Sequence, residues 1–450
     1  MRQRDVALVV RLGVVGWCLS TTPVQLAGQA AATSGATAPA PQTPAGRLLT
    51  TWVSAVNDGD SVRLGALQLA ASGTALPDGR VLRSTTGGLT LTQVVRAGTR
   101  HVEFVVRDRG SAVRRFGVLA VATDDSTRIS YFNLVALPPT AEISDLLVTE
   151  TERARVIAGT AKNLRQYYVV RETGQWLGDS IEDRLRRGAY DGITASRYLA
   201  DMLTSELRAL SGDRHFRVEF SVPVLPADFS LSRTVADRES QQALWDRNNC
   251  AFLRAERLAD NIGYLKLNGF GSPEYCKPTV DAAMAFVKGT DALIVDLRDN
   301  NGGDADLVTY FASYFVAPRT LLATTWTRAS EQTDSAWTTH VAGPRFAESK
   351  PVYVLTSTRT FSAGEAFAYE LQQLKRVTVV GDPTAGGAHP TWPRRVTDHF
   401  YVNTPGARIT SPISGTDWEG VGVQPNVLAP QAEALDVARR LATTHIRQRR

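Results

Sequence analysis

The chain has 450 residues, 43% hydrophobic and 21% charged, with a formal net charge of +5. At about 100–200 residues per domain, that length allows more than one domain and sizeable cores. The basic excess is scattered (Arg184, Arg186, Arg187 and a terminal Arg447, Arg449, Arg450 group) without interleaved aromatics, so nucleic acid is excluded as an expected partner.

The N-terminus reads Met1-Arg2-Gln3-Arg4, then an apolar stretch from Val6 to Leu19, then small residues around Gly28, Ala30 and Ala31. This pattern predicts a secretory signal over residues 1–30, with Arg11 interrupting the apolar run and leaving the cleavage point open. Lipid attachment at Cys18 is not expected, because Trp17 stands where such processing needs a small residue. No other segment has the apolar length of a transmembrane helix. The expected product is exported, periplasmic or extracellular, with no stable membrane span. No signal in the sequence sets an oligomeric state.

Residues 31–45, AATSGATAPAPQTPA, have the composition of an extended tether. Residues 46–138 open with an amphipathic helical pattern, RLLTTWVSAVNDGD, and continue in alternating runs, HVEFVVRDR, RFGVLAVATDD and RISYFNLVALP. One helix on a meander is the expected architecture, a small α+β unit that resembles the cone-shaped nuclear-transport-factor-two-like fold. Pro138 and Pro139 mark a boundary. From 139 to 216 the apolar spacing of TERARVIAGTAKNLRQYYV and ASRYLADMLTSELRAL predicts a helical cap.

From 217 to 445 strands alternate with helices: NIGYLKLNGF, PEYCKPTVDAAMAFVKG, ALIVDLRDNNGG, DLVTYFASYFV, VYVLTSTRTFSAGEAFAYELQQL and VTVVG. This alternation predicts an α+β or α/β core with buried strands. Cys250 and Cys276 remain once a signal is removed, in a compartment that permits disulfides, and are expected to pair; two unrelated thiols are the alternative. Neither belongs to a CxxC pair, so no zinc site is expected, and neither a dinucleotide nor a phosphate-loop motif implies a cofactor.

Ser362 stands where the buried run Val352-Tyr353-Val354-Leu355 gives way to a helical pattern from Ala363. Unpaired N–H groups and the helix dipole there would stabilise an oxyanion formed by attack on a carbonyl, although serine also suits that position as a plain N-cap. A serine nucleophile needs a base and a carboxylate to orient it. Of six histidines, His101 lies in the N-terminal meander, His340 in a polar stretch and His445 in the last helix or tail, which leaves His215, His389 and His399; His215, in the polar turn SGDRHFRVEF at the handover from helices to core, stands where a base can be presented to a cleft. Gly302 and Gly303 end a second buried strand just before a helix, so one of them could join the N–H of Ala363 as oxyanion donor.

The blocks ALIVDLRDNNGG, TSTRTFSAGEAFAYEL, VVGDPTAGGAHP and SGTDWEGVGVQPNV, in that order, resemble those of the C-terminal-processing (tail-specific) and tricorn-type serine peptidases. The stretch YDGITASRYLADMLTSELRALSGDRHF is similar to the N-terminal part of the branch related to the interphotoreceptor retinoid-binding protein, with no PDZ-like segment evident. The resemblance spans roughly residues 150 to 445. It implies a crotonase-like core of ββα units, a polypeptide substrate, Ser362 as nucleophile, His215 as base, Glu419 as orienting carboxylate, and Gly302 or Gly303 with Ala363 as oxyanion donors.

Two departures from the family pattern stand out. The run Thr384 to Ala388 lacks the lysine of the Ser-Lys members, and Arg214 replaces a serine beside the base, its side chain expected to point away from His215. His389 is expected to line the cleft or pack near it. Two rival readings remain: an α/β-hydrolase-type esterase using His399 or His445, weakened because Thr360 leaves G-x-S-x-G incomplete, and a catalytically silent ligand- or peptide-binding protein on the same fold.

Overall fold

The computed structural model describes residues 38–67, 76, 78–122, 124–227, 229 and 235–449. The expected signal over 1–30 lies outside the described residues. The first helix, α1 (Pro44–Asp58), starts where the Thr43 side chain accepts from the Gly46 N–H and Pro44 needs no hydrogen-bond acceptor. The expected tether through residue 45 is therefore corrected at its end: Ala45 is buried, and the Ala38 N–H donates to the Leu91 carbonyl. Two short helices, α2 (Ser61–Ala66) and α3 (Gly79–Thr86), precede an antiparallel sheet in the order β1 (Leu89–Ala97), β2 (His101–Asp108), β3 (Arg114–Val121), β4 (Ile129–Ala136). One helix on a meander was expected; two further helices and the additional strand β1 are present.

Both faces of β2 are buried. Val102, Phe104 and Val106 pack with Trp52 of α1, while Val105, on the opposite face, packs with Leu146 and Ala195 of the next part of the chain. That part is α4 (Glu150–Tyr167), α5 (Arg171–Arg186) and α6 (Ser196–Ser211), whose apolar stripes form a core of their own around Leu164, Leu177 and Leu203. Helix α6 ends at Gly212 in the left-handed region (φ 74°), and the chain turns directly into β5 (Arg217–Phe220).

After α7 (Val235–Arg247) come β6 (Phe252–Leu258), β7 (Ile262–Leu267), α8 (Pro273–Val287), β8 (Ala292–Asp296), α9 (Ala305–Ala312), β9 (Leu321–Thr327) and β10 (Gln332–Trp337). They are followed by β11 (Val352–Thr356), α10 (Ala363–Gln373), β12 (Thr378–Gly381), β13 (Thr391–Arg395), β14 (Phe400–Pro405), β15 (Ala407–Thr410), β16 (Val427–Leu428) and α11 (Ala434–Gln448). Six strands form the central sheet in the order β16-β12-β11-β8-β7-β6, parallel except for β6 against β7.

Residues along these strands alternate between two cores. Leu293, Val295, Val352 and Val354 face the core shared with α8, α9 and α10, while Ile294, Tyr353 and Leu355 face α11. Burial on both faces explains why β8 and β11 read as continuous apolar runs. Two three-stranded sheets, β10-β9-β15 and β13-β14-β5, flank this layer. Cys250 and Cys276 are joined by a disulfide, their Cα atoms 5.5 Å apart. Among the described residues no helix is long and apolar enough to cross a membrane.

Candidate active site

The carboxyl ends of the parallel strands carry the site, where open α/β sheets bind ligands. Strand β8 runs into the turn Asp299–Gly303, β11 into Ser362, and β12 into the loop Thr384–His389. Ser362 is half-buried and held at φ 55°, ψ −122°, a backbone conformation costly for a residue with a Cβ. The constraint has an identifiable source. The Ser362 N–H donates to Glu365 Oε2 at 2.8 Å, and the same buried carboxylate accepts from Thr384 Oγ1 (2.5 Å), Gly386 N (2.7 Å) and Gly387 N (2.8 Å). Burial raises the pKa of Glu365 against these hydrogen bonds, which favour its charged form.

Asn300 stitches the neighbouring turn to the serine. Its side chain donates to the Leu267 carbonyl and accepts from the Gly302 N–H at 2.9 Å, and its carbonyl accepts from the Phe361 N–H. Gly302, at φ 98°, lies so close that a Cβ there would stand 2.7 Å from Ser362 Cβ. Its N–H is engaged by Asn300, whereas among the described residues no protein acceptor is found for the N–H of Gly303 or Ala363. Of the two glycines, Gly303 is thus the one whose N–H has no protein acceptor among the described residues.

His215 enters from the turn after α6. Its ring lies on the Phe361 ring, centroids 4.4 Å apart, and a Cβ on Gly387 would stand 2.6 Å from its Cε1. Arg214 also rests over Phe361, its guanidinium 5.7 Å from the ring centroid, and donates to the Ala385 carbonyl. The two side chains therefore converge on one ring, contrary to the expected divergence, because the turn precedes β5 and strand alternation does not apply there. Burial pushes the His215 pKa down to about 4; Asp213 opposes the shift, and His389, Arg208 and Arg214 add to it.

The carboxylate nearest His215 is Asp213, with Oδ1 3.8 Å from Nδ1 and accepting from the His215 N–H at 3.0 Å. Asp213 Oδ2 in turn lies 2.8 Å from His389 Nδ1. Glu419, implied by resemblance as the partner of His215, instead faces His389: its Oε2 accepts from the N–H of Ala388 (2.5 Å) and His389 (3.1 Å) and lies 3.6 Å from His389 Nδ1. This is a correction to the expected contact. The Glu419 loop is docked on residues 384–389 by Trp418, whose Nε1 donates to the Gly387 carbonyl, and the carboxylate ends beside the second histidine. Burial and Asp213 raise the Glu419 pKa to about 7. For His389, burial opposes protonation, but the Asp213 hydrogen bond and Glu419 outweigh it and raise its pKa.

The rival bases lie elsewhere. His399 Nδ1 faces the Ser221 carbonyl at 3.1 Å, and His445 sits in the last turn of α11. Asp213, Glu365 and Asn300 escaped the sequence reading. Glu365 was visible as Ser362-x-x-Glu365, the spacing of a capping box.

A profile for the N-terminal domain of peptidase family S41 in eukaryotic IRBP matches residues 141–241, and the profile of peptidase family S41 itself matches residues 261–429, together more than half of the chain. The chain belongs to peptidase family S41. Its members are serine-type hydrolases. A carboxyl-terminal-processing protease of Synechocystis is 24% identical over 202 residues, 44% of this chain and 43% of that protein. The chloroplastic carboxyl-terminal-processing peptidase 2 of Arabidopsis thaliana is 28% identical over 176 residues, 38% of this chain and 32% of that one. The chain thus matches under half the length of these curated relatives. The solved structure of a photosystem II D1 C-terminal processing protease aligns with 66% of this S41 chain and 98% of its own, at 17% identity and a TM-score of 0.41.

Proposed function

We propose that the chain is an exported serine peptidase that hydrolyses peptide bonds of unfolded or loosely structured polypeptides. One observation carries this reading: Ser362 is held in a strained turn at the end of a buried parallel strand, with His215 packed against the preceding residue. Strain of this kind persists only where surrounding contacts impose it, and Glu365 supplies those contacts.

In this mechanism Ser362 Oγ attacks the scissile carbonyl while His215 takes its proton, then returns it to the leaving amine. Burial keeps His215 neutral, a free base, at neutral pH. The imidazolium formed during attack is stabilised by Asp213, with Glu419 acting one step behind through His389. The N–H groups of Ala363 and Gly303 receive the oxyanion. Export is supported by the N-terminal sequence pattern and by the Cys250–Cys276 disulfide.

We read residues 46–138 as a nuclear-transport-factor-two-like unit, 139–216 as the helical N-terminal part of the peptidase, and 217–445 as its crotonase-like core. The helix-backed antiparallel sheet supports the first assignment, and the parallel strands with helical crossovers support the last.

The test is covalent labelling with a phosphonate reagent, followed by peptide mapping, alongside hydrolysis of a casein substrate. Label at Ser362, with loss of both label and cleavage in Ser362→Ala, is expected. Unchanged cleavage by Ser362→Ala would overturn the assignment.

A further inference from the structure

We infer that Arg214 is a carboxylate-binding subsite of the cleft, so that favoured substrates carry an acidic side chain or a free C-terminus within a few residues of the scissile bond. The kinetic part rests on the reading of the chain as a peptidase with Ser362 as nucleophile; the binding part does not.

Arg214 shares one wall with the residues around Ser362. Its guanidinium carbon lies 5.7 Å from the ring centroid of Phe361, the residue before Ser362, and the His215 ring lies on that same ring at 4.4 Å. Arg214 Nη1 donates to the Ala385 carbonyl at 3.1 Å, in the loop whose Gly387 N–H shares the Glu365 carboxylate with the Ser362 N–H. The guanidinium therefore sits between the turn of Ser362 and the loop after β12. An extended peptide rises about 3.3 Å per residue, so a substrate carbonyl at Ser362 places groups about two or three residues away within reach of this cation.

Arg214 is exposed and, among the described residues, pairs with no carboxylate. Its neighbour Asp213 is buried and engaged with the His215 N–H and with His389. Other cations at this end of the sheet are paired: Arg298 with Asp296, and Arg359 and Lys266 with Asp299. Arg217, on the neighbouring strand, has Glu219 at 3.7 Å. The hydrogen bond to Ala385 uses one N–H of a guanidinium that has five, and neither that carbonyl nor the Phe361 ring carries a net charge to neutralise it. A planar fork fixed in place at the surface, with donors to spare, matches a carboxylate, which it binds through two parallel hydrogen bonds.

The placement also acts on the base. Burial is the main cause of the low His215 pKa, Asp213 opposes it, and Arg214 is among the cations that add to it. A carboxylate paired with Arg214 offsets that contribution and makes His215 a better acceptor for the Ser362 proton. The same contact thus anchors substrate and favours attack.

The test is fluorescence anisotropy with four labelled decapeptides of one sequence on the full chain carrying Ser362→Ala. The four combine a central glutamate or glutamine with a C-terminal acid or amide, in about 0.15 M salt, where attraction to the net positive chain is screened beyond about 8 Å. A carboxylate peptide should bind about fivefold more tightly than the peptide with none, the upper end for a pair that stays partly in water. Adding Arg214→Gln, or Arg214→Ala as a second variant, should remove this preference, whereas Arg217→Gln, which deletes an equal charge nearby, should keep it. Circular dichroism checks that each variant is folded. Preference for the glutamate peptides identifies an acidic side chain as the source and preference for the free acids identifies the C-terminus; both support the subsite. Equal binding of all four, or a preference that survives Arg214→Gln or falls equally in Arg217→Gln, overturns it. In the unsubstituted chain the preferred peptide should be cleaved with the higher kcat/KM, and Arg214→Gln should lower kcat as well as raise KM. If the chain cleaves neither these peptides nor casein while the binding preference depends on Arg214, the peptidase reading fails and the subsite stands.

Discussion

At the scale of residues, two carboxylates stand near the proposed base His215, Asp213 directly and Glu419 by way of His389. Asp213 approaches Nδ1 to 3.8 Å and fixes the backbone of the same turn, whereas Glu419 reaches Ala388 and His389. Asp213→Asn is accordingly expected to lower kcat by about 10⁴-fold, the loss seen when an orienting carboxylate becomes an amide. Glu419→Gln should cost far less, about tenfold, because it acts through a second histidine. Steady-state kinetics on both purified variants decides; a larger loss in Glu419→Gln would return the orienting role to Glu419. Ser362 could be singled out from sequence because a strand-to-helix switch is a local pattern, and His215 because few histidines lie at an element boundary. Asp213 was not, since an aspartate two residues before a histidine reads as an ordinary turn residue. Its role depends on His389, 176 positions away, which no local pattern reports.

At the scale of elements, α6 links the N-terminal sheet to the candidate site. Its C-terminal end carries Asp213 and His215, and its start is fixed by Glu103 of β2, which is fully buried. That carboxylate accepts from Thr194 N (3.2 Å), Thr194 Oγ1 (2.5 Å) and Ala195 N (2.9 Å). Carboxylates are favoured at helix starts by the unpaired N–H groups there. Glu103→Ala would leave these donors buried without an acceptor, and an unsatisfied buried group costs about 1–3 kcal/mol. A loss of about 3 kcal/mol in urea unfolding is expected, together with reduced kcat, because the turn holding His215 loses its anchor. Unchanged stability would show that the sheet is a passenger on the helical unit. The helices α6, α8 and α10 and the buried strands β7, β8 and β11 were legible because their apolar periods are strong. The sheet β13-β14-β5 was not. Pro393 lies within β13 and Pro405 ends β14, proline argues against a strand, and β13 escapes that argument only by being an edge.

At the scale of the whole molecule, separate apolar cores meet around a site built by loops from distant parts of the chain, so its rigidity depends on long-range ties. The Cys250–Cys276 disulfide is one of these. It joins the turn before β6 to α8, and Cys276 Sγ lies where a Cβ on Gly271 would approach to 2.5 Å, next to Phe270. Phe270 pairs with Gly303: its N–H donates to the Gly302 carbonyl and its carbonyl accepts from the Asp304 N–H. The disulfide therefore backs the turn that carries Gly303, the proposed oxyanion donor. A sequence separation of 26 corresponds to about 3.5 kcal/mol on the chain-entropy view of cross-linking. Cys276→Ser should lower the thermal midpoint and, because the turn behind Ser362 loosens, reduce kcat more than it raises KM. The unreduced, denatured chain without its first 30 residues should show no free thiol on alkylation. Two alkylated cysteines would remove the cross-link from the account and, with it, the structural support for export.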